Sequence, residues 1–198
     1  MINPDDITDY NRTNRELEEF MIFAVCAAGK NAVTTAKILN KIFDFCERGY
    51  LMPIKNMASK GGLGEYLRSK GIGCYNNRAE TILQLYKKIR ADKDFLRTAT
   101  VADLEEIHGI GPKTSRFFIM HSRPNQRVAA LDTHILKELN AQGVPTPKST
   151  PAYGRRYKQL EKEFIKLADK AGKSVADYDL EVWKKHRKKA FETVDNVS

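Results

Sequence analysis

The segment LEEIHGIGPKTSRFFIMHSRPNQRVAALDTHI, residues 104–135, carries the strongest structural signals in the chain. Just before it, Thr100 and Asp103 have the spacing of a capping box, which predicts a helix that begins at about residue 101. A second helix is predicted to follow the glycines, because Pro112 suits the first position of a helix. The pattern therefore predicts helix, tight hairpin and helix over about residues 101–122.

The hairpin between these two helices has the properties of an anion site. Gly109 and Gly111 allow the backbone to turn with positive φ and to approach another molecule closely. The hairpin amides can then point outward at the N-terminus of the second helix, where the helix dipole favours a negative charge. A phosphate group would fit this site. The alternative is a plain helical hairpin whose glycines only turn the chain and cap a helix.

A lysine and an aspartate follow the hairpin. Lys113 stands at the start of the second helix, and Asp132 lies 19 positions later (132 − 113), after the hydrophobic run 128–131. Apolar residues at helical spacing come directly after Asp132, so another helix is predicted to begin there. The pattern therefore predicts a buried segment that ends in a carboxylate at a helix N-terminus, a position that favours a negative charge.

The motif L-x-x-I-x-G-I-G-x-K-T followed by A-L-D-T-H-I resembles the helix-hairpin-helix DNA glycosylases, the superfamily of endonuclease III. The resemblance implies an all-α, two-lobed fold with the active site in the cleft between the lobes. It also implies that Lys113 is the nucleophile, that Asp132 is the essential acid, and that the partner is double-stranded DNA with a damaged base. The hairpin residues expected at the DNA are His108, Gly109, Ile110, Gly111 and Thr114.

The rest of the chain agrees with this fold class. Apolar residues recur at helical spacing from end to end, whereas alternating runs rich in Val, Ile and Thr are scarce, and this predicts an all-α protein. A length of 198 residues suits one domain. We expect that domain to span 1–198, with lobes formed by about 30–130 and by 1–29 plus 131–198.

The net charge of the chain bears on its binding partner, and its cysteine content bears on its cofactor. The net charge of +9 and the pI near 9.4 suggest a polyanionic partner, although charge alone is a weak argument. Cys26, Cys46 and Cys74 are scattered, so the chain cannot build the four-cysteine iron–sulfur site that endonuclease III-like enzymes often carry. We expect no cofactor, and leave open a monovalent or divalent cation that bridges the hairpin to a DNA phosphate.

Targeting signals are not visible in the sequence. No signal peptide, transit sequence or apolar run of membrane-spanning length is present. We therefore expect a cytoplasmic, nucleoid-associated protein, or a nuclear one in a eukaryote. It is expected to bind no membrane and to act as a monomer.

The junction of the first two predicted helices resembles a DNA-facing turn of the family. Residues 26–32, CAAGKNA, stand where the family has S-A-Q-T-T, whose glutamine fills the hole left by a flipped-out base. Here that position is Ala28, and Lys30 or Asn31 are the candidate substitutes. The alternative is an ordinary turn between helices with a solvated lysine.

A second turn, within residues 71–82, resembles the G-L-Y-N-x-K-A-x-x-I of endonuclease III. In the family the loop before the following helix inserts an apolar wedge into the duplex, since a side chain can replace the stacking of an opened base step. The wedge candidates are Ile72, Cys74 and Tyr75. Asn76 is assigned to the DNA contacts and Arg78 to a phosphate. The alternative for Tyr75 is a core aromatic with a paired hydroxyl.

The C-terminal third resembles the compact 8-oxoguanine DNA glycosylases of the archaeal type. The shared features are a P-K-[ST] loop at 147–149, an R-x-Y-x-x-x-E helix from Arg155 to Glu161, and D-L-x-x-W from Asp179 to Trp183. In those enzymes the tryptophan lies against the extruded base. The base-pocket candidates are therefore Trp183, Asp179 and Ala28. The alternative is that Trp183 only packs the last helix.

Together the resemblances imply a bifunctional DNA glycosylase/AP lyase of base excision repair that removes an oxidised base, 8-oxoguanine first among them. A Schiff base at Lys113 and β-elimination would carry the reaction. Two alternatives stay open. One is the same fold acting on an oxidised pyrimidine or a modified phage base. The other is a non-enzymatic helix-hairpin-helix module in which Lys113 only contacts phosphate and Asp132 only caps a helix.

Overall fold

The computed structural model describes residues 1–44 and 62–195, with side chains as far as residue 187. In these ranges the chain forms α-helices and one short 3-10 turn, with no strand, and the all-α prediction is confirmed. The helical spacing of apolar residues over 33–46 predicts that the second helix ends at Gly49, and that position lies outside the described residues. The helices are α1 (Asn14–Ala27), α2 (Ala32–Asp44), α3 (Leu63–Ser69), α4 (Tyr75–Ala91), α5 (Phe95–Thr98), α6 (Val101–Glu105), α7 (Pro112–Ser122), α8 (Thr133–Ala141), α9 (Arg155–Lys170) and α10 (Val175–Asp195).

Short-range side-chain hydrogen bonds determine where several helices begin. Thr13, Thr100 and Ser174 each accept a hydrogen bond from the backbone amide three residues later, and the acidic side chain at that later position bonds back to the cap. Each arrangement satisfies amides that have no partner inside the helix and contributes about 1 kcal/mol. Pro112 is the first residue of α7, as predicted.

One compact unit consists of Met1–Pro4 and Asn11–Phe118. Its central element is α1, which packs against α2, α4 and α5 and buries most of its length. The ring of Phe20 stacks on Phe118 at 5.4 Å, and the Arg12 guanidinium lies 4.2 Å from the Phe20 centroid. These contacts group α1 with the hairpin helices, whereas the lobes expected from the sequence place residues 1–29 with the C-terminal part of the chain.

The other unit consists of Asp5–Tyr10 and Ile119–Ser198. Its central element is α9, which packs against α8 and α10. The buried residues of α9 are spaced three or four apart, so they form one apolar face, as the sequence pattern predicts. The ring of Phe164 on this face lies 5.2 Å from that of Tyr178 on α10.

A buried carboxylate joins α8 to α10 within this second unit. Glu138 accepts hydrogen bonds from Lys185 Nζ at 2.6 Å, His186 Nε2 at 3.0 Å and Gln142 Nε2 at 3.1 Å. Burial by itself would raise the pKa of Glu138, but these hydrogen bonds outweigh burial and lower it. The carboxylate therefore stays ionised, and removing one partner would leave a buried charge incompletely compensated.

Candidate active site

The predicted hairpin lies between α6 and α7, and its two glycines have different roles. Gly109 has φ 84°, a conformation that glycine adopts without strain. A Cβ on Gly109 would also collide with Thr81 Oγ1 on α4. Gly111 has no positive φ, and a Cβ there would meet no described atom within 4 Å. Gly109 is therefore required by the turn, whereas Gly111 leaves room for another molecule to approach.

The hairpin amides also divide into two groups. The amide of His108 donates to Gln84 Oε1 at 3.0 Å, and that of Ile110 donates to the carbonyl of Ile107 at 3.0 Å. In the described part of the chain, the amides of Gly109 and Gly111 donate to no protein acceptor. If the hairpin binds a phosphate through its backbone, the glycine amides are the donors that remain for it.

This difference gives a prediction for Gly111→Val. The variant should fold as the wild type does, because a Cβ at this position meets no described atom within 4 Å, but it should block close approach to the amides. We expect affinity for damaged and undamaged duplexes to fall alike, by about five- to tenfold for the loss of one backbone–phosphate hydrogen bond. Fluorescence anisotropy on matched duplexes measures this. Gly154→Val, also in open space, is the control, and a loss confined to one lesion would contradict the prediction.

Lys113 is the second residue of α7. The three residues after it, Thr114, Ser115 and Arg116, are all buried, whereas Lys113 is only partly buried. Ser115 Oγ and Arg116 Nη1 both bond to Glu105 Oε1, at 2.8 Å and 2.6 Å, and so tie α7 to α6. Lys113 is therefore more exposed than the three residues that follow it, and the first turn of its helix is tied to α6.

Asp132 is the N-cap of α8, as predicted. Its Oδ1 accepts hydrogen bonds from the amides of His134 at 2.8 Å and Ile135 at 2.9 Å. Its backbone is extended, and the residue is half-buried at the end of the buried segment 129–131. The two amides hold the carboxylate in one orientation at the start of α8.

The predicted base-pocket residues of α10 have different surroundings. Trp183 is half-buried, and the Arg187 guanidinium lies 4.4 Å from its ring centroid. Asp179 is buried, with Oδ2 3.1 Å from His121 Nε2, while His121 Nδ1 lies 2.8 Å from Thr8 Oγ1. Asp179 therefore takes part in a buried polar network. Sequence reasoning missed His121, because nothing nearby in the sequence marks it as a partner of Asp179.

At the turn after α1, the two candidate substitutes for the family glutamine, Lys30 and Asn31, have different surroundings. Asn31 Oδ1 accepts a hydrogen bond from the Thr34 amide at 2.9 Å, so Asn31 caps α2. Lys30 is exposed, and its Nζ lies 3.2 Å from the position that a Cβ on Gly73 would take. Ala28 is exposed beside them. Lys30 is therefore the residue of this turn whose long side chain lies at the surface.

Arg78 connects this turn to the one before α4. The residue is 5% exposed. Its Nη2 donates to the carbonyl of Ala28 at 3.0 Å, and its Nη1 donates to the carbonyl of Gly73. A guanidinium bonded in this way fixes the relative position of two turns that are 45 residues apart (73 − 28). The predicted phosphate contact of Arg78 remains untested, and this geometry favours a role in positioning.

The three wedge candidates before α4 differ in how exposed their side chains are. Ile72 is 3% exposed and belongs to the core, which excludes it as a wedge. Cys74 is exposed with φ 52°, an uncommon conformation for a residue other than glycine. Tyr75 is half-buried beneath the Arg68 guanidinium, which lies 5.5 Å from its ring centroid, and Asn76 is exposed. Cys74 and Tyr75 remain the wedge candidates.

Other classes of site find little support in the described ranges. In residues 1–44 and 62–195, no group of three His, Cys, Asp or Glu residues is placed to hold a metal ion. Over the same ranges, no helix combines the length and apolar character needed to cross a bilayer. Burial raises the pKa of Cys26 to about 12, so its thiol is unreactive. Cys46 lies outside the described residues.

Comparison with known proteins identifies the family of this chain. The profile of the 8-oxoguanine DNA glycosylase family matches residues 5–173. The 8-oxoguanine glycosylase/lyase of Methanocaldococcus jannaschii, solved with a 15-mer DNA containing 8-oxoguanine, is 23% identical, with 87% of this chain and 81% of that chain covered and a TM-score of 0.66. A second structure of the glycosylase from that organism is 21% identical, with 91% and 83% covered and a TM-score of 0.70.

The 8-oxoguanine DNA glycosylase of Thermotoga maritima is 22% identical, with 91% of this chain and 85% of that chain covered and a TM-score of 0.70. At this identity the solved structures establish the fold, and they confirm the helix-hairpin-helix glycosylase architecture. The family profile spans most of the chain, well over half of its residues. This chain therefore belongs to the 8-oxoguanine DNA glycosylase family, which confirms the prediction of a DNA glycosylase that acts on oxidised bases.

Proposed function

We propose that this protein removes 8-oxoguanine from double-stranded DNA and then cleaves the DNA strand through a covalent lysine intermediate. The main structural support is the position of Lys113, which is partly exposed in the first turn of the helix that directly follows the hairpin. The M. jannaschii relative is a glycosylase/lyase that was crystallised with DNA containing 8-oxoguanine. We further propose that the protein acts as a monomer in the cytoplasm, on DNA of the nucleoid.

In the proposed reaction the target nucleotide first leaves the duplex, because its glycosidic carbon is unreachable inside the stack. The neutral amine of Lys113 attacks C1′ while the N-glycosidic bond breaks, and the base departs with the bonding electrons and takes up a proton. The sugar ring then opens: the C1′–O4′ bond breaks, O4′ takes up a proton, and the lone pair of the lysine nitrogen forms the C=N bond of a protonated Schiff base. This Schiff base allows loss of the proton at C2′ and β-elimination of the 3′ phosphate. The carboxylate of Asp132 stabilises the positive charge that develops on the sugar.

We assign the contacts with the DNA backbone to the hairpin, to the turn after α1 and to the turn before α4. The glycine amides of the hairpin would bind a phosphate, while Lys30 and Asn76 offer exposed polar groups and Tyr75 a partly exposed ring. His108 adds an exposed side chain to the hairpin, whereas the side chains of Ile110 and Thr114 are buried. A cation that bridges the hairpin to a phosphate would bind carbonyl oxygens of the hairpin, since hard cations take oxygen ligands. No step of the proposed reaction depends on that cation.

Arg78→Gln tests whether Arg78 contacts phosphate or positions the two turns. Removing a cation that binds a phosphate lowers the slope of log Kd against log salt concentration by about 1. We expect this slope to stay unchanged in Arg78→Gln, because the guanidinium is buried and bonded to two backbone carbonyls. We expect the excision rate to fall, because the two turns would lose the side chain that connects them. Lys30→Gln, which removes an exposed cation beside Gly73, should lower the slope. A lower slope in Arg78→Gln would instead support binding of Arg78 to a phosphate.

Trp183→Ala tests the proposed base pocket. The Arg187 guanidinium lies over the indole ring, and a flat purine stacked on the ring would gain about 1–3 kcal/mol. We expect excision of 8-oxoguanine to fall by about tenfold or more, while cleavage at a preformed abasic site changes little because no base remains to be held. Trp183→Phe keeps an aromatic ring and serves as the control. An equal fall in both activities would make Trp183 a packing residue.

The choice of base is tested by strand cleavage on otherwise identical duplexes that carry 8-oxoguanine, thymine glycol, uracil or an abasic site. We expect cleavage of the 8-oxoguanine and abasic duplexes, and little cleavage of the other two. Preferred cleavage at thymine glycol would favour the alternative of an oxidised pyrimidine. Binding of all four duplexes without cleavage would favour a non-enzymatic module.

A further inference from the structure

The segment that leads into Asp132 is buried but belongs to no helix. Ala129, Ala130 and Leu131 are each at most 2% exposed, and their side chains are apolar. The amide of Leu131 donates to the carbonyl of Ala129 at 3.1 Å, which makes a tight three-residue turn centred on Ala130. Buried backbone groups outside a helix or sheet need other hydrogen-bond partners, because an unpaired group costs about 1–3 kcal/mol.

Two side chains on one face of α9 supply these partners. Tyr157 is fully buried, and its hydroxyl donates to the carbonyl of Ala129 at 2.9 Å and accepts from the amide of Leu131 at 3.2 Å. Glu161 Oε1 accepts from the amide of Ala129 at 3.0 Å. Residues 157 and 161 are four apart on a helix and so lie on the same face. The R-x-Y-x-x-x-E pattern therefore holds the three-residue turn from one side.

A third side chain, from the loop before α9, binds the remaining backbone group of Ala129 and Leu131. Thr150 Oγ1 donates to the carbonyl of Leu131 at 2.8 Å. The amide and carbonyl of Ala129 and those of Leu131 are thus all bound by side chains from residues 150–161. The next residue in the chain is Asp132, whose own Oδ1 is held by the first amides of α8. The turn and the helix cap together determine where this carboxylate lies.

We propose that Tyr157, together with Glu161, is a positioning residue for Asp132. The Tyr157 hydroxyl fixes the path by which the chain enters α8, and hence the position of the carboxylate, without contacting the substrate. A carboxylate that stabilises a transient charge loses most of its effect when it is displaced by about 1 Å. This inference rests on the proposed catalytic role of Asp132.

Tyr157→Phe removes the hydroxyl and keeps the ring. We expect the single-turnover rate of 8-oxoguanine excision to fall by about ten- to a hundredfold, while Kd for the lesion duplex stays within about twofold. Phe164→Leu is the matched control, because Phe164 lies on the same face of α9, is fully buried and has no polar atom. It should lower the melting temperature at least as much and leave the excision rate below that temperature unchanged. Equal losses of rate in the two variants would overturn the proposal.

Glu161 gives a second test that does not depend on the folding of Tyr157→Phe. Glu161→Gln keeps an oxygen that can accept from the Ala129 amide and should retain the wild-type rate, whereas Glu161→Ala should slow excision. Failure of Glu161→Gln to retain the rate, or an unaffected rate in both Glu161→Ala and Tyr157→Phe, would overturn the proposal.

A double-mutant cycle connects these effects to Asp132. If Tyr157 acts through that carboxylate, Tyr157→Phe should slow excision in the wild type but cause no further loss in Asp132→Asn. Independent, additive losses would assign Tyr157 to general packing. The failure of the proposed function is a separate result: undiminished excision by Asp132→Asn alone would remove the catalytic role of Asp132, whatever Tyr157→Phe does.

Discussion

Lys113→Gln is expected to abolish both borohydride trapping of the protein on DNA and strand cleavage at 8-oxoguanine. Glutamine has no nucleophilic amine, so no Schiff base can form. Affinity for the duplex should stay within a few-fold, because one cation among the many of a chain with net charge +9 contributes little. Denaturing gels of borohydride-treated mixtures measure the trapping, and anisotropy measures the binding.

The control for this variant is Lys87→Gln, which removes an exposed lysine of α4 with the same change in charge. It should be trapped and should cleave DNA as the wild type does. Full trapping of Lys113→Gln would show that another amine is the nucleophile. Parallel loss of trapping and of duplex binding would instead make Lys113 mainly a phosphate ligand, as in the non-enzymatic alternative.

Asp132→Asn is expected to keep the fold and to lose excision by about a hundred- to a thousandfold. Asparagine caps helices about as well as aspartate, and its side-chain oxygen can accept from the same amides of His134 and Ile135. It carries no charge, however, and the loss of one preorganised electrostatic group costs about 3–4 kcal/mol in the transition state. Single-turnover excision kinetics and thermal melting measure the two effects separately.

Asp103→Asn is the matched control, since Asp103 is also a carboxylate that takes part in capping the N-terminus of a helix. Hydrogen bonds from Thr100 lower the pKa of Asp103, but the residue lies at the surface of α6. This variant should shift the melting temperature slightly and leave excision unchanged. If Asp132→Asn excises 8-oxoguanine at the wild-type rate, Asp132 is only a helix cap.

The local structure around the proposed site could be predicted from the sequence because each feature depends on residues a few positions apart. The capping box of Thr100, the start of α7 at Pro112 and the cap at Asp132 all form within a single turn of chain. Such contacts form in any helix that begins there, so the residue types alone specify them. The two glycines of the hairpin were predicted together, and the structure then separated their roles.

The contacts that hold these local features in place could not be predicted, because their partners are distant in the sequence. Arg78 binds the carbonyl of Ala28, His121 binds Asp179, and Tyr157 binds the segment before Asp132, across separations of 50, 58 and 26–28 residues. A buried polar group must find a partner, but the sequence does not specify which one. The sequence by itself determined the helices, the hairpin and the family. Only the tertiary structure decided which side chains position them, because packing brings together groups that no local pattern connects.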